Sequence, residues 1–144
     1  MVSIRTGEIV HGLTVSAFAS ISPDPPLIAI VIDHQHRAHQ LLEQPGAVFA
    51  VNVLAEDQRE LAERFAWRPD EERFARGDWS VAVTGAPVLA DALAWLDCAI
   101  ESRQVVGTHS LYVGRVLASA APRAEEAPLV YWNRGYRGLK RPHE

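Results

Sequence analysis

The segment LTVSAFASISPDPPLIAIVI, residues 13–32, constrains the fold more than any other part of the chain. Apolar residues alternate with hydroxyl-bearing or aromatic residues through positions 13–22, which is the period of a strand with one buried face. The cluster PDPP at 23–26 must interrupt sheet pairing, because proline has no N–H to donate. Positions 27–32 are continuously apolar, as expected of a strand covered on both faces. The segment therefore predicts two successive strands separated by a proline corner.

The rest of the pattern predicts one domain, residues 1–144, with about six strands and two short helices. An amphipathic pattern indicates the helices, and a polar surface excursion is expected at 68–77. Irregular spacing of the strands favours a mainly β, α+β or β-barrel fold over a doubly wound sheet. Beyond the opening segment, strands are expected near 47–54, 81–83, 94–105, 109–118 and 128–132, and helices near 38–42 and 55–66.

Composition excludes several classes of function. The net charge is −4 and the pI about 5.8, so no basic footprint for nucleic acid or an anionic membrane is present. Cys98 is the only cysteine and lies in an apolar run, which predicts a buried, inert thiol. No apolar run is long enough to span a membrane and the start does not resemble a signal peptide, which predicts a cytoplasmic protein. The glycine-rich phosphate motifs and the hydrolase motifs are also absent from the sequence.

The hydroxyl face of the first strand is the first candidate site. Thr14, Ser16, Ser20 and Ser22 share one side with Phe18. Several short donors beside a flat aromatic ring suit a planar ligand with polar edges. A solvated strand face remains an equal alternative on composition alone.

The second candidate is DHQHRAH, at the exit of a buried strand and the start of a helix. Free N–H groups at a helix start attract anions, and Arg37 adds a charge suited to phosphate. His34, His36 and His39 also raise the possibility of a metal site, although no acidic or thiol residue completes an evident ligand set. A solvated histidine cluster is the third interpretation.

Two further candidates lie towards the C-terminus. His109 follows Gly107 at the start of a strand, where an imidazole is able to hydrogen-bond a polar ligand. Aromatic residues alternate with arginine in YWNRGYRGL, residues 131–139. This second pattern fits either a flap over a ligand or a loose surface tip.

The segments TVSAFASISPDPPL, FAVNVLAEDQ, TGAPVL, GTHSLYVGRV and PLVYWNRGYRGL, in this order, resemble the flavin reductase family of the FMN-binding split barrel. The resemblance runs from about Gly12 to Leu139. It implies an antiparallel split β-barrel that forms a homodimer, with flavin in a groove close to the dimer interface. It also implies reduction of FMN, or FAD, by NADH or NADPH, through hydride transfer from nicotinamide C4 to flavin N5. Many family members supply the reduced flavin to a separate monooxygenase.

The resemblance also implies roles for particular residues. The hydroxyl face would hold the isoalloxazine, the turn with Arg37 would bind the ribityl phosphate, and His109 would be the catalytic residue facing the nicotinamide. Flavin contacts are expected from Thr14, Val15, Ser16, Ala17, Ser20, Ile21, Ser22, Asp33, His36, Arg37 and Ala38; nicotinamide contacts are expected from His109, Arg134 and Tyr136.

This chain departs from the family pattern at Ala17, Ala19, His36, Ala38 and Thr108. A protonated His36 would replace the hydroxyls lost at the phosphate turn, which predicts tighter FMN binding near pH 6 than near pH 8. Two alternative functions remain open at this point. One is a flavin-binding electron carrier with little turnover, and the other is a module that binds metal through the histidine cluster.

Overall fold

This computed structural model describes residues 1–140 and residue 142. The described residues contain eleven strands and three short α-helices. The strands are β1 (Val2–Thr6), β2 (Ile9–Leu13), β3 (Phe18–Pro23), β4 (Pro26–Asp33), β5 (Val48–Val53), β6 (Trp79–Val81), β7 (Pro87–Leu89), β8 (Ala94–Val106), β9 (His109–Ala120), β10 (Val130–Trp132) and β11 (Gly135–Arg137). The helices are α1 (Arg37–Leu42), α2 (Arg59–Trp67) and α3 (Asp70–Arg73), and a 3₁₀ turn at Glu56–Gln58 precedes α2.

Seven strands form one antiparallel sheet in the order β2-β1-β5-β8-β9-β4-β3. The strands at its two edges, β2 and β3, are consecutive in the sequence, so residues 14–17 carry the chain from one edge to the other. Ala17 O accepts a hydrogen bond from Val31 N at 3.2 Å, which attaches the end of this crossing segment to β4. The expected fold class, mainly β and antiparallel with short helices, is confirmed.

The prediction of one continuous strand over residues 13–22 is wrong. Strand β2 ends at Leu13 and β3 begins at Phe18, because the two lie at opposite edges of the sheet. The N–H of Phe18 donates to Ser16 O at 3.0 Å, which closes a turn between them. The proline cluster forms the corner between β3 and β4, but it interrupts pairing only at residues 24 and 25, because Pro23 and Pro26 are paired with each other at the strand ends.

Other elements were missed by the pattern. The hairpin of β1 and β2 turns at Gly7, whose φ of +59° favours glycine. Strands β7 and β11 are each three residues long, which is too short for a period to be seen. The excursion at 68–77 contains helix α3, and Phe74 within it packs edge-on against Phe65 of α2, with ring centroids 5.0 Å apart.

Besides a small cluster of Ala50, Ala86 and Val88, two main groups of buried side chains form the core. The larger one lies within the sheet and includes Phe49 and Tyr112, both fully buried. The smaller one lies under α2 and includes Phe65. At Gly12, between sheet and helix, a Cβ atom would lie 2.4 Å from the Phe65 ring, so α2 approaches β2 only because this residue is glycine.

Cys98 lies in the larger core, as predicted from its apolar surroundings. Burial raises the pKa of its thiol to about 12, so the reactive thiolate is suppressed. Among the residues that the structure describes, no helix has the length and apolar character needed to cross a bilayer.

Candidate functional site

Residues 14–16 lie at the junction of three adjoining cavities. Thr14, Val15 and Ser16 line all three, which have volumes of about 560, 280 and 260 Å³. The arrangement follows from the sheet order, because the segment that joins its two edges runs between β4 on one side and α2 on the other. We call the three cavities together the central groove.

The smallest part, the His109 cavity, gathers many of the residues expected to bind flavin. It is lined by Leu13, Thr14, Val15, Ser16, Ala17, Val31, Ile32, Asp33, His36 and His109. His109 faces Asp33 directly in the pairing of β9 with β4, which places both at the same end of the sheet. The His109 Nδ1 lies 2.9 Å from the hydroxyl oxygen of Thr108, the residue that departs from the family pattern.

The largest part, the hairpin cavity, lies between α2 and the hairpin of β10 and β11. Its lining beyond residues 14–16 is Arg59, Glu63, Ala66, Trp67, Tyr131, Arg134, Gly135 and Tyr136. Arg134 and Tyr136 therefore lie on the opposite side of residues 14–16 from His109. Within one chain, the structure does not bring the three expected nicotinamide residues into a single cavity.

The remaining part of the groove, the cavity of about 280 Å³, has mostly apolar walls, and we call it the middle part. Phe18, Val51, Leu54 and Leu129 line it with residues 14–16, and Tyr131 and Tyr136 close the side that it shares with the hairpin cavity. Burial, with the Glu63 carboxylate nearby, raises the pKa of Tyr136, so its hydroxyl stays protonated at neutral pH.

The expected row of hydroxyl donors is interrupted. Thr14 Oγ1 donates to Ala62 O of α2 at 2.6 Å, so this hydroxyl holds the crossing segment against the helix. Ser20, Ile21 and Ser22 lie on the edge strand β3 and line none of the three cavities. The backbone N–H groups of Ser16 and Ala17, in contrast, have no partner in the part of the chain that the structure describes.

The turn before α1 also differs from the expected phosphate site. The N–H of Ala38, which is fully buried, donates to His36 Nδ1 at 3.1 Å. Arg37 forms an ion pair with Asp70 of α3. Neither Arg37 nor Ala38 lines the His109 cavity, whereas Asp33 and His36 do. The predicted anion-binding groups are thus already engaged within the protein.

His36 is neutral in this arrangement. Its Nδ1 accepts a hydrogen bond from a backbone N–H, and burial followed by the nearby Arg73 lowers its pKa. A protonated His36 that replaces the missing hydroxyls is therefore not the state that this structure favours. The expected pH dependence of FMN binding loses its structural basis for the same reason.

His11, which was not among the candidate residues, lies on β2 next to this turn. Its side chain is only 2% exposed, and neither ring nitrogen has a hydrogen-bond partner among the residues described. Asp70 Oδ1 is 3.4 Å from Nδ1 without hydrogen-bond geometry, and the His36 ring centroid is 5.7 Å away. Burial lowers the pKa of His11 to about 4. The alternation of β1 and β2 around Gly7 was the signal that could have revealed this residue.

The three histidines of the proposed metal site do not converge. His34 Nε2 is 2.8 Å from Ser110 Oγ, and His39 Nδ1 is 2.8 Å from the hydroxyl of Tyr112. His36 turns away from both towards His11. Within residues 1–140 and 142, no group of three histidine, cysteine or acidic side chains is arranged to hold a metal ion.

Helix α2 contributes five groove residues that were not predicted, namely Arg59, Ala62, Glu63, Ala66 and Trp67. Arg59, Glu63 and Trp67 are spaced four residues apart, so they share one helix face. Arg59 donates to Glu63 at 2.9 Å and lies over the Tyr136 ring, 5.5 Å from its centroid. Trp67 is 83% exposed, which is unusual for so large an apolar ring. This spacing was present in the sequence, but only the fold shows which hairpin the face meets.

Comparison with known proteins places this geometry in context. Residues 1–140 match a family model described as the flavin reductase like domain. The chain is 36% identical over 129 residues to the reductase subunit HsaB of a flavin-dependent monooxygenase from Rhodococcus jostii, covering 90% of this chain and 65% of the relative. It is 41% identical over 131 residues to FMN reductase (NADH) RutF 1 from Methylorubrum extorquens, covering 90% of this chain and 64% of the relative.

A solved structure agrees with these relatives. The styrene monooxygenase flavin reductase SMOB from Pseudomonas putida S12 superposes with a TM-score of 0.84 at 33% identity, covering 98% of this chain and 90% of that one. The present chain thus spans nearly the whole of that structure, but only about two thirds of the length of HsaB and RutF 1.

Proposed function

The chain belongs to the flavin reductase like family, and on this premise we propose that it catalyses the reduction of a flavin by a nicotinamide nucleotide. RutF 1 is named an FMN reductase that uses NADH, which supports FMN and NADH as the first pair to test. FAD and NADPH are the alternatives to compare with them, because the groove residues named above distinguish neither FMN from FAD nor NADH from NADPH.

The observation that carries this proposal is the central groove. Its middle part offers the apolar side chains of Val15, Phe18 and Tyr131, and the crossing segment offers the unpaired N–H groups of Ser16 and Ala17. A planar ring system with a polar edge fits this combination, since the ring packs on apolar surface while the edge accepts from the N–H groups. The residues present therefore suit an isoalloxazine.

The chemistry is supplied by the two nucleotides, as hydride moves from nicotinamide C4 to flavin N5. The task of the protein is to hold the rings in contact and to exclude water. We propose that residues 14–17 orient the flavin edge and that His109 donates a hydrogen bond to the bound reactants. Arg134 and Tyr136, in the hairpin cavity, are proposed to hold the nicotinamide nucleotide. Contacts from Ser20, Ile21 and Ser22 require that the bound flavin extends beyond the central groove.

We also propose that the reduced flavin serves a flavin-dependent monooxygenase, because HsaB and SMOB are named as reductase parts of such systems. A homodimer is proposed from the family resemblance. The exposed edge strand β3 supports it, since Phe18 and Ile21 remain 37% and 52% exposed there. Light scattering on the purified chain measures the oligomeric state directly.

Anaerobic turnover tests the proposed activity. The purified chain is mixed with NADH or NADPH and excess FMN, FAD or riboflavin, and loss of flavin absorbance is followed. We expect many flavins to be reduced per protein. Reduction of no more than one flavin per chain identifies an electron carrier instead, and absence of reduction with both donors contradicts the proposal.

His109→Phe, which keeps a planar ring but cannot donate a hydrogen bond, tests the catalytic assignment in the same assay. We expect kcat/KM to fall about tenfold, the effect of losing one hydrogen bond in the site. Glu101→Gln, at an exposed position of β8, is the matched control and should leave the rate unchanged. An unchanged rate for His109→Phe would exclude a catalytic role for this residue.

A further inference from the structure

We propose that Asp70 is a specificity-determining residue that occupies Arg37 and so suppresses recognition of the flavin phosphate. The chain then accepts riboflavin about as well as FMN. This inference rests on the proposed function, since it concerns the choice among flavins at the same groove. It differs from the expectation drawn from the family resemblance, in which Arg37 binds the phosphate.

The ion pair between Arg37 and Asp70 is the first piece of evidence. Arg37 Nη1 donates to Asp70 Oδ2, and the two side chains are 49% and 35% exposed. Burial opposes ionisation of Asp70, but the hydrogen bond from Arg37, with His11, Arg73 and the charge of Arg37 nearby, lowers its pKa overall, so the carboxylate is charged. A phosphate approaching Arg37 must therefore compete with an anion that is already in place.

Helix α3 holds Asp70 in position. Arg73 Nη1 donates to Gly12 O at 2.6 Å, and Arg73 Nε donates to Arg68 O at 2.9 Å. Arg64 of α2 donates to Glu72 O at 3.0 Å. These contacts hold the C-terminal end of the short helix against β2 and the end of α2. Asp70 lies at the N-terminal end, where its Oδ1 is 3.7 Å from Arg73 Nε, so the anchored Arg73 keeps this carboxylate beside Arg37.

The other groups at the turn before α1 provide few free hydrogen-bond donors for a phosphate. The Ala38 N–H donates to His36 Nδ1, and the chain carries alanine and histidine where the family pattern has hydroxyls. Asp33 lines the His109 cavity, and its Oδ1 accepts from Gln35 N at 2.9 Å. A carboxylate in the cavity wall repels a phosphate that lies there.

The local charges sum to zero. Arg37 and Arg73 are balanced by Asp33 and Asp70, while burial favours the neutral forms of His11 and His36. A phosphate ester carries between one and two negative charges near neutral pH, so it gains little in a site of zero net charge. The isoalloxazine contacts of residues 14–17 are the same for riboflavin and FMN. Discrimination by phosphate is therefore small.

Equilibrium binding of riboflavin and FMN tests the role of Asp70 in four proteins: the native chain, Arg37→Ala, Asp70→Asn and the double variant. For the native chain and for Arg37→Ala we expect the two dissociation constants to agree within about threefold, the scale of an exposed ion pair. Asp70→Asn frees Arg37 to bind the phosphate. The dissociation constant for FMN should then be about tenfold lower than that for riboflavin, the effect of a charge-assisted hydrogen bond. The double variant with Arg37→Ala should lose that gain.

Glu72→Gln is the matched control, because it removes one negative charge from the same helix without touching Arg37. It should leave the ratio of dissociation constants unchanged, and thermal melting checks that each variant is folded. A native chain that prefers FMN tenfold or more, with the preference lost in Arg37→Ala, overturns the proposal. An unchanged ratio in folded Asp70→Asn overturns it too.

Turnover separates this inference from the proposed function. If the flavins bind with the expected ratios but NADH and NADPH reduce none of them, the proposed activity fails while the role of Asp70 is supported. If the native chain binds neither flavin, both proposals fail.

Discussion

Asn52 and His11 are both buried polar residues, yet their surroundings differ sharply. The Asn52 amide donates to Ser3 Oγ at 3.0 Å and accepts from Leu89 N at 2.9 Å, so it joins β5 to β1 and β7. His11 has no hydrogen-bond partner within the part of the chain described. An unsatisfied buried imidazole costs free energy, and protonating it there costs more because the charge is poorly solvated.

This difference predicts how stability depends on pH. Folding lowers the pKa of His11 from 6.5 to about 4, so between these values the unfolded chain binds a proton that the folded chain does not. The folding free energy that depends on a neutral His11 is therefore fully present above pH 6.5 and is lost as the pH falls towards 4. In urea unfolding at pH 7 and pH 5, the native chain should lose about 2 kcal/mol more than His11→Phe. Parallel pH profiles for the two proteins would contradict the burial of a neutral His11.

At the scale of an element, the hairpin of β10 and β11 combines strain with function. Asn133 and Arg134 form its turn with φ of 49° and 60°, in the left-handed region. Asparagine tolerates this conformation, whereas arginine does so at a cost of about 1 kcal/mol. Arg134 nevertheless lines the hairpin cavity, in which a nicotinamide nucleotide is proposed to bind. The strain is therefore retained at a position where a charged side chain has a use.

Arg134→Gly should separate these two properties. Glycine relieves the turn and should raise the free energy of unfolding by up to about 1 kcal/mol. Loss of the guanidinium should raise KM for NADH about tenfold, since one charge-assisted contact is removed. Arg134→Ala is the control that loses the charge but keeps the strain. A Gly variant that is no more stable than the Ala variant would contradict the strain argument.

At the scale of the whole molecule, the groove exists because the chain crosses between the two edges of its sheet. Thr14 fixes the crossing segment to α2 through its hydrogen bond to Ala62 O, and Ala17 fixes it to β4. The segment that is attached to α2 and β4 therefore also supplies Thr14, Val15 and Ser16 to the walls of all three cavities. A change there is expected to alter stability and binding together.

Thr14→Val tests this coupling in the protein without flavin. Valine keeps the shape but cannot donate, so the free energy of unfolding should fall by about 1 kcal/mol, and flavin affinity should fall as well. Thr14→Ser retains the hydroxyl, so its free energy of unfolding and its flavin affinity should stay close to those of the native chain. If Thr14→Val loses affinity with no loss of stability in the absence of flavin, its hydroxyl serves the ligand rather than the fold.

Local pattern was sufficient for several elements of the fold. The apolar runs predicted β4 and β5, and the amphipathic pattern predicted α2. The proline corner was also predicted, because proline restricts the backbone and lacks a donor wherever the rest of the chain lies. The family resemblance implied flavin contacts from Thr14, Val15 and Ser16, and the structure places these three residues on the walls of the central groove.

Only the tertiary structure decided how distant segments meet. It broke the expected strand at residues 14–17, engaged Arg37 with Asp70, and separated His109 from Arg134 by the crossing segment. Periodicity reports which face of an element is buried, since it depends on neighbours along the chain. Ion pairs and cavity walls depend on residues dozens of positions apart, and their partners are set by sheet order and helix packing rather than by local pattern.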